Sequence, residues 1–378
     1  MDVGLTNDQV LLRNTARRFI DDVCPLGVVR QRAGSRTPTD PDYARHAAEL
    51  GWFSLLVDEG AGGGSVSGDG GVDAAVVAME RGRALQPGPF VAVNAIGRVL
   101  ARAERDSLPF AVVTDLLAGD ATASWAVADE HGRFDGPLGV DARRHGDVYV
   151  LNGRKTLVVD GDLVEWLLVT AGDGGGVIQV LLRSDAPGLT FESVEFLDIT
   201  RRVATVRFDA VTAPTSSVVG EPGRAGGDVR EQLQIAAMLT VAVSVGAMDA
   251  LFTLALDYAK SRIAFGRPIG SFQAIKHSLA DTSVRLESSK AVAAAAARAV
   301  SRRGPRVGEI VSMAKAYVGD ASAELAQSCF QVFGGIGFTW EHDNHLYLRR
   351  LTADTSMYGD PAWHRELIWK EHAGEFDV

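Results

Sequence analysis

The chain has 378 residues, 46% of them hydrophobic, and a net charge of −10. That length exceeds one ordinary core and predicts two or three packed domains; the acidic balance, with no Lys/Arg-rich run, argues against nucleic acid as a partner. Two cysteines, Cys24 and Cys329, are too few for a disulfide framework or a four-ligand zinc site, and they point to a reducing, cytoplasmic setting.

The first residues carry neither a basic nor an apolar leader segment, so no secretory signal is expected. From Leu5 to about Ala118 the pattern is helical, with Thr6 or Asn7 placed to cap the first turn. The Gly-rich run from Glu59 to Gly71 lacks a Gly-Lys-Ser/Thr ending and a preceding strand. It therefore reads as a flexible surface loop rather than a phosphate cradle.

From about Ala121 short β runs follow at Trp125–Ala128, Val148–Leu151, Thr156–Val159, Trp166–Val169, Val177–Leu182 and Thr205–Phe208. Asn152-Gly153 reads as a two-residue hairpin turn, because both residues tolerate positive φ. Helices return after Glu221–Gly227, over Asp228–Arg262, Gln273–Arg303, Val307–Val332 and Pro361–Glu371. Ile235–Leu256 is apolar and long enough to suggest a membrane span. Asp249 and the small residues Thr240, Ser244 and Gly246 favour a helix inside a bundle instead, and no membrane is expected. These shifts divide the chain into a helical domain (1–118), a β domain (119–222) and a helical bundle (223–378).

The C-terminal stretch Gln331-Val-Phe-Gly-Gly-Ile-Gly-Phe-Thr-Trp-Glu-His-Asp343, with Arg262-Ile-Ala-Phe-Gly266 and Phe272-Gln273, resembles the flavin-anchoring part of acyl-CoA dehydrogenases. The helical, β, helical order is that family's layout. Val57–Gly63 and Glu80–Phe90 also fit its N-terminal domain. Thr339–Asp343 with His345–Arg349 resembles the actinobacterial branch, whose members often act on steroid side chains and other bulky CoA thioesters. The resemblance implies an α+β fold: an N-terminal helical domain, a middle β-barrel or sandwich and a C-terminal four-helix bundle, in a tetramer built from dimers.

In that family FAD lies extended, its ring against the β domain of one subunit and its adenosine and pyrophosphate reaching a neighbour. By resemblance Arg262 supplies a guanidinium fork for pyrophosphate. Phe265 offers a ring face, Ile269 and Phe272 an apolar wall, and Gln273 an amide. Gln331 with Gly334 and Gly335 lets backbone amides come close. Taken singly, Arg262 and Gln273 also read as helix-surface residues and Gly334–Gly337 as a C-cap turn; together, their order and spacing favour a cofactor site.

The β half departs from the family pattern. Ala128–Asp135 stands where a Thr-Glu-Pro-like run and a Gly-Ser-Asp are usual, with Ala128 at the threonine and Phe134 at the serine. Leu157-Val-Val159 replaces a Trp-Ile-Thr motif. The family's proton-abstracting glutamate matches Gly359 at one possible place and Ala236 at the other. Glu231, five residues before Ala236, faces elsewhere on the helix and reads as a solvated first-turn carboxylate. Asp360 is the neighbouring carboxylate, a candidate base or a turn-capping residue. His342, Asp343 and His345 lack a fourth ligand, so no metal is expected; His277 and His364 read as packing or surface histidines.

The expectation is a subunit of a hetero-oligomeric, FAD-dependent acyl-CoA dehydrogenase. It would oxidise a CoA thioester to the trans-2-enoyl form, pass electrons to an electron-transfer flavoprotein, and share its flavin site with a homologous, glutamate-bearing partner. The alternatives are a self-sufficient homo-oligomer using Asp360, and a non-catalytic scaffold.

Overall fold

The computed structural model describes residues 4–35, 42–134 and 139–372. Helix α1 (Asn7–Val23) starts at Thr6, whose Oγ1 accepts from Gln9 N at 3.3 Å while Gln9 Oε1 accepts from Thr6 N at 3.1 Å. This reciprocal capping satisfies two amide donors at once. Helices α2 (Leu26–Arg32), α3 (Tyr43–Glu49), α4 (Gly70–Arg83), α5 (Phe90–Leu100) and α6 (Leu108–Ala118) complete the first layer.

The Gly-rich loop before α4 lies at the surface, as expected, and is anchored at its C-terminal end. The buried Asp73 carboxylate accepts from Ser65 Oγ, Val66 N, Ser67 N and Ser67 Oγ at 2.6–2.9 Å. One carboxylate accepting several donors fixes a turn that glycines alone would leave loose.

Strands β1 (Ala123–Ala126), β2 (Val140–His145), β3 (Val148–Val159), β4 (Trp166–Gly172), β5 (Val177–Arg183), β6 (Leu189–Ser193), β7 (Val203–Pro214) and β8 (Val218–Val219) form one mixed sheet. Its order is β6-β7-β3-β2-β4-β5-β8, with β1 parallel to β4. Side chains alternate across it. Leu151, Leu167, Val169, Ile178, Val180 and Val206 share one buried cluster within the sheet, while Trp125, Leu168 and Leu181 belong to the helical core.

The Asn152-Gly153 hairpin does not form. The turn is at Gly146-Asp147, between paired His145 and Val148, and β3 runs on unbroken through Asn152-Gly153. Gly153 (φ +135°) lies at a register shift against β7, where a Cβ would meet Gly139 O at 2.1 Å. Asn152 Oδ1 accepts from Ala210 N across the same irregularity at 2.8 Å. The dipeptide thus marks a bulge with close backbone approach, the other structure that glycine within a strand signals. Strands β2 and β6 escaped the sequence reading because their charged and polar residues hide the alternation.

The C-terminal layer holds α7 (Gly226–Ser261), the small hairpin β9 (Ile263–Ala264) and β10 (Arg267–Pro268), α8 (Gln273–Arg302), α9 (Val307–Phe333), α10 (Asn344–Ser356) and α11 (Pro361–His372). Helix α7 is apolar and long enough to cross a membrane, but 83% of its most apolar window is buried inside the protein. It crosses α4 with no side chains between the backbones: a Cβ on Gly82 would meet Val243 O, and one on Gly246 would meet Met79 O, each at 1.9 Å. The glycine pair is what permits this approach. The expected layout of helices, β layer and helical bundle is the one observed.

Candidate functional site

The turn from α10 to α11 carries Tyr358 and Gly359, both at positive φ (+57° and +102°). A buried lysine sets this turn: Lys315 Nζ, from α9, donates to the carbonyls of Asp354, Thr355 and Gly359 at 2.9–3.0 Å. Burial lowers Lys315 to about 8, against the pull of Asp354 and Asp360. His364 braces the turn from α11, with Nε2 3.1 Å from Tyr358 O and Nδ1 3.1 Å from Ser312 Oγ. The carbonyl can only accept, so Nε2 carries the proton and Nδ1 accepts from the serine. Burial, reinforced by the Lys315 charge, lowers His364 to about 4 and keeps the ring neutral.

So held, Tyr358 stacks on Trp125 (centroids 6.4 Å apart) and leans on Phe134 (5.7 Å). Gly359 has no room for a side chain, because a Cβ there would lie 2.2 Å from Trp363 Cε3. Ala236 is fully buried and offers only a methyl group. Asp360 is exposed, and its Oδ1 accepts from Trp363 N at 2.8 Å, the geometry of a helix N-cap for α11. Beside this turn an apolar cleft of about 550 Å³ opens between Phe134, Val229, Leu233, Ala237, Trp363 and Leu367.

Of the β-domain residues that match flavin contacts, Phe134 and Val159 meet this turn. Val159 and Tyr358 line a second cavity of only about 40 Å³, which holds a water or two and no tricyclic ring. Ala128 is buried, and Phe134 packs on Tyr358; Asp135, the end of that stretch, lies outside the described residues. Aromatic side chains therefore crowd this turn, and the hydroxyls and indole that would meet a flavin ring are absent from these positions.

A buried ionic cluster underlies the same cavity. Arg350 Nε donates to Asp198 at 2.5 Å, and Arg201 Nη1 to Asp354 at 2.6 Å. Arg350 Nη2 also reaches Leu85 O and Thr200 Oγ1. The two arginines hold Asp198 below the ordinary carboxylate range in spite of its burial. Arg201, Arg350, Asp354, Lys315, Tyr358 and Trp363 escaped the sequence reading. A buried charge has no local signature when its partner lies more than a hundred residues away.

The flavin-anchoring candidates gather at the other end of the bundle. Helices α7 and α9 finish side by side, with Tyr258 5.4 Å from Phe333, and α8 begins beside them. This brings Arg262, Ile269, Phe272, Gln273, Gln331, Gly334 and Gly335 to one end. Arg262, Gln273 and Gln331 are exposed there, and Phe265 is 94% exposed. Gly334 and Gly335 face open space on the side where a Cβ would project. An exposed guanidinium with open glycine backbone fits a pyrophosphate group. From Ala236 to Arg262, α7 runs about 39 Å, so this end lies far from this chain's own Gly359.

Glu231 is not a solvated carboxylate. It pairs with Arg98 (2.7 Å) and with Arg102, which hold it below the usual range. His277 is exposed. His345 stacks on Trp340, and Asp343 pairs with Arg30 at 2.9 Å.

Comparison with known proteins gives concordant matches. The family model "Acyl-CoA dehydrogenase, N-terminal domain" matches residues 6–104, and "Acyl-CoA dehydrogenase, C-terminal domain" matches residues 227–372. The acyl-CoA dehydrogenase IpdE2 of Mycobacterium tuberculosis is 29% identical over 96% of this chain and 95% of its own length. A glutaryl-coenzyme A dehydrogenase in complex with glutaryl-CoA superposes with a TM-score of 0.90 at 22% identity, over 99% of this chain and 97% of its own. The ChsE4–ChsE5 complex of M. tuberculosis gives 0.87 at 23% identity, over the whole of both chains. By its sequence matches, its three-layer fold and the residues gathered at the bundle end, the chain belongs to the acyl-CoA dehydrogenase family, whose cofactor is FAD.

Proposed function

We infer that this chain is the base-lacking subunit of a hetero-oligomeric acyl-CoA dehydrogenase that acts on a CoA thioester, with a bulky or steroid-derived acyl group as the substrate class. One observation carries the reading: the place that matches the catalytic glutamate holds Gly359 under the Trp363 ring, and the alternative place holds Ala236. A base for an α-proton needs a carboxylate within hydrogen-bond reach, and Asp360 is engaged as a cap. The chain's contribution is then its bundle end. Arg262 grips pyrophosphate, Gln273 and Gln331 offer amides, and Gly334-Gly335 admits the backbone close to a cofactor seated mainly on a homologous partner. FAD supplies the hydride acceptor, and an electron-transfer flavoprotein takes the electrons onward. ChsE4–ChsE5 is a two-component complex of this fold, which makes a paired assembly a natural form for it.

The test is expression of the chain alone and together with a glutamate-bearing homologue, with flavin counted per chain. The chain alone should hold little flavin, and the complex should hold flavin that acyl-CoA bleaches. One flavin per chain in the singly expressed protein, bleached by acyl-CoA, would overturn the reading.

A further inference from the structure

The cavity of about 40 Å³ beside Tyr358 is lined by Arg81, Arg201 and Arg350, three cations around a space little larger than a few atoms. Two carboxylates serve them. Asp198 accepts from Arg350 at 2.5 Å and lies 3.4 Å from Arg201, and Asp354 takes Arg201 at 2.6 Å. Among the described residues no carboxylate pairs with Arg81. Its Nη1 donates to Tyr43 Oη at 3.0 Å and its Nη2 to Pro87 O at 2.5 Å, while the guanidinium lies 4.8 Å over the Phe90 ring. These are neutral acceptors and a π face, which orient a cation without neutralising it. A buried guanidinium without a counter-charge is unfavourable unless an anion joins it.

The neighbouring groups do not remove the surplus below about pH 7. Tyr43 is pushed up to about 12 by burial and stays a neutral phenol. Asp160, the remaining carboxyl near Arg201, is raised to about 7 by burial, and both its oxygens lack partners. The rest of the wall carries only neutral groups, with Phe90, Val159, Val243 and Met357 apolar and Gln86, Thr240 and Tyr358 polar, so no further charge faces the arginines from it. The volume exceeds the minimum for one water and suits a carboxylate head.

We propose that this cavity is a binding site for a small carboxylate, with Arg81 as the anchoring cation and Arg201 as the second charge facing it. The carboxylate comes from a free short-chain acid or from the far end of an acyl group, and the recognition chemistry is the same. The site needs neither bound flavin nor a partner subunit, so it stands or falls apart from the dehydrogenase reading.

The test uses the purified full chain and isothermal titration with acetate, adipate, adipoyl-CoA, chloride and the neutral analogues acetamide and adipamide. Carboxylates should bind saturably and at least tenfold more tightly than the matched amides. Arg81→Met should lose most of that affinity, and Arg81→Lys should keep part of it. Tighter binding of adipoyl-CoA than of adipate identifies an acyl end, and the reverse identifies a free acid; both support the site. Thr240→Leu, which fills the same space, serves as the second variant should Arg81→Met fail to fold. Absence of saturable carboxylate binding, equal binding of the amides or of chloride, or undiminished affinity in either folded variant would overturn the proposal.

Discussion

The indole of Trp363 stands where a side chain on Gly359 would have to go. A Cβ at that position meets Trp363 Cε3 at 2.2 Å and His364 Nε2 at 2.9 Å, on a backbone already at φ +102°. The missing carboxylate is therefore a packed feature of the turn, and restoring the acid alone should not restore a base. Gly359→Glu should cost about 1–3 kcal/mol from overpacking, with a further penalty for a side chain at positive φ. It should give no acyl-CoA-dependent flavin bleaching, while Trp363→Ala in addition should recover much of the lost stability. Urea denaturation of the three proteins checks the stability series. A single Gly359→Glu variant as stable as wild type would mean that the indole moves aside freely.

Asp360 is placed to cap and not to abstract a proton. Asn caps nearly as well as Asp, so Asp360→Asn should leave both stability and flavin bleaching within a few-fold of wild type in the assembled complex. Asp360→Ala should lose about 0.5–2 kcal/mol through the freed Trp363 amide. General-base catalysis contributes roughly 10²–10⁴-fold, so a collapse of the bleaching rate in Asp360→Asn, with flavin and substrate still bound, would make this chain a catalyst in its own right.

The helical layers were legible because their signals are local: Thr6 or Asn7 as a first-turn cap, the apolar run of α7, and the glycines after α9. The segments Arg262–Gln273 and Gln331–Gly335 were legible for the same reason, since each is short and carries its own local pattern, and the bundle brings them to one end. The packing of the Tyr358–Gly359 turn was not. That Trp363 covers Gly359, that Lys315 ties down the turn and that Arg201 meets Asp354 are facts of tertiary packing, with no period or spacing to announce them. Asn152-Gly153 misled because the same dipeptide suits a hairpin and a bulge, and only the partner strand decides between them.

Arg262 closes α7 as an exposed C-cap residue in extended backbone (ψ 120°), with its amide bonded to Tyr258 O. Its side chain is not needed for that bond. Arg262→Ala should therefore leave the melting temperature of the isolated chain within a degree or two, since exposed substitutions usually stay within about ±0.5 kcal/mol. Flavin occupancy of the co-expressed complex should fall several-fold, because a bidentate cation on pyrophosphate is lost. Equal flavin content in an intact complex would reduce Arg262 to a surface residue.

Asp160 gives the protein a built-in pH dependence of stability. It lies at positive φ (+53°), buried beyond β3, with neither carboxyl oxygen bonded. Burial raises it to about 7, whereas an unfolded aspartate titrates near 3.9. Between those values the folded state binds the proton that the unfolded state releases, so stability falls as pH rises from about 4 through 7 and levels off above it. Asn keeps the shape, tolerates positive φ and carries no charge. Asp160→Asn should match wild type near pH 4 and exceed it at pH 8 by on the order of a few kcal/mol. Urea unfolding of both proteins at the two pH values measures the difference directly. A gap that stays constant between pH 4 and 8 would show that Asp160 is ionised in the folded protein throughout, with the Arg201 charge outweighing its burial.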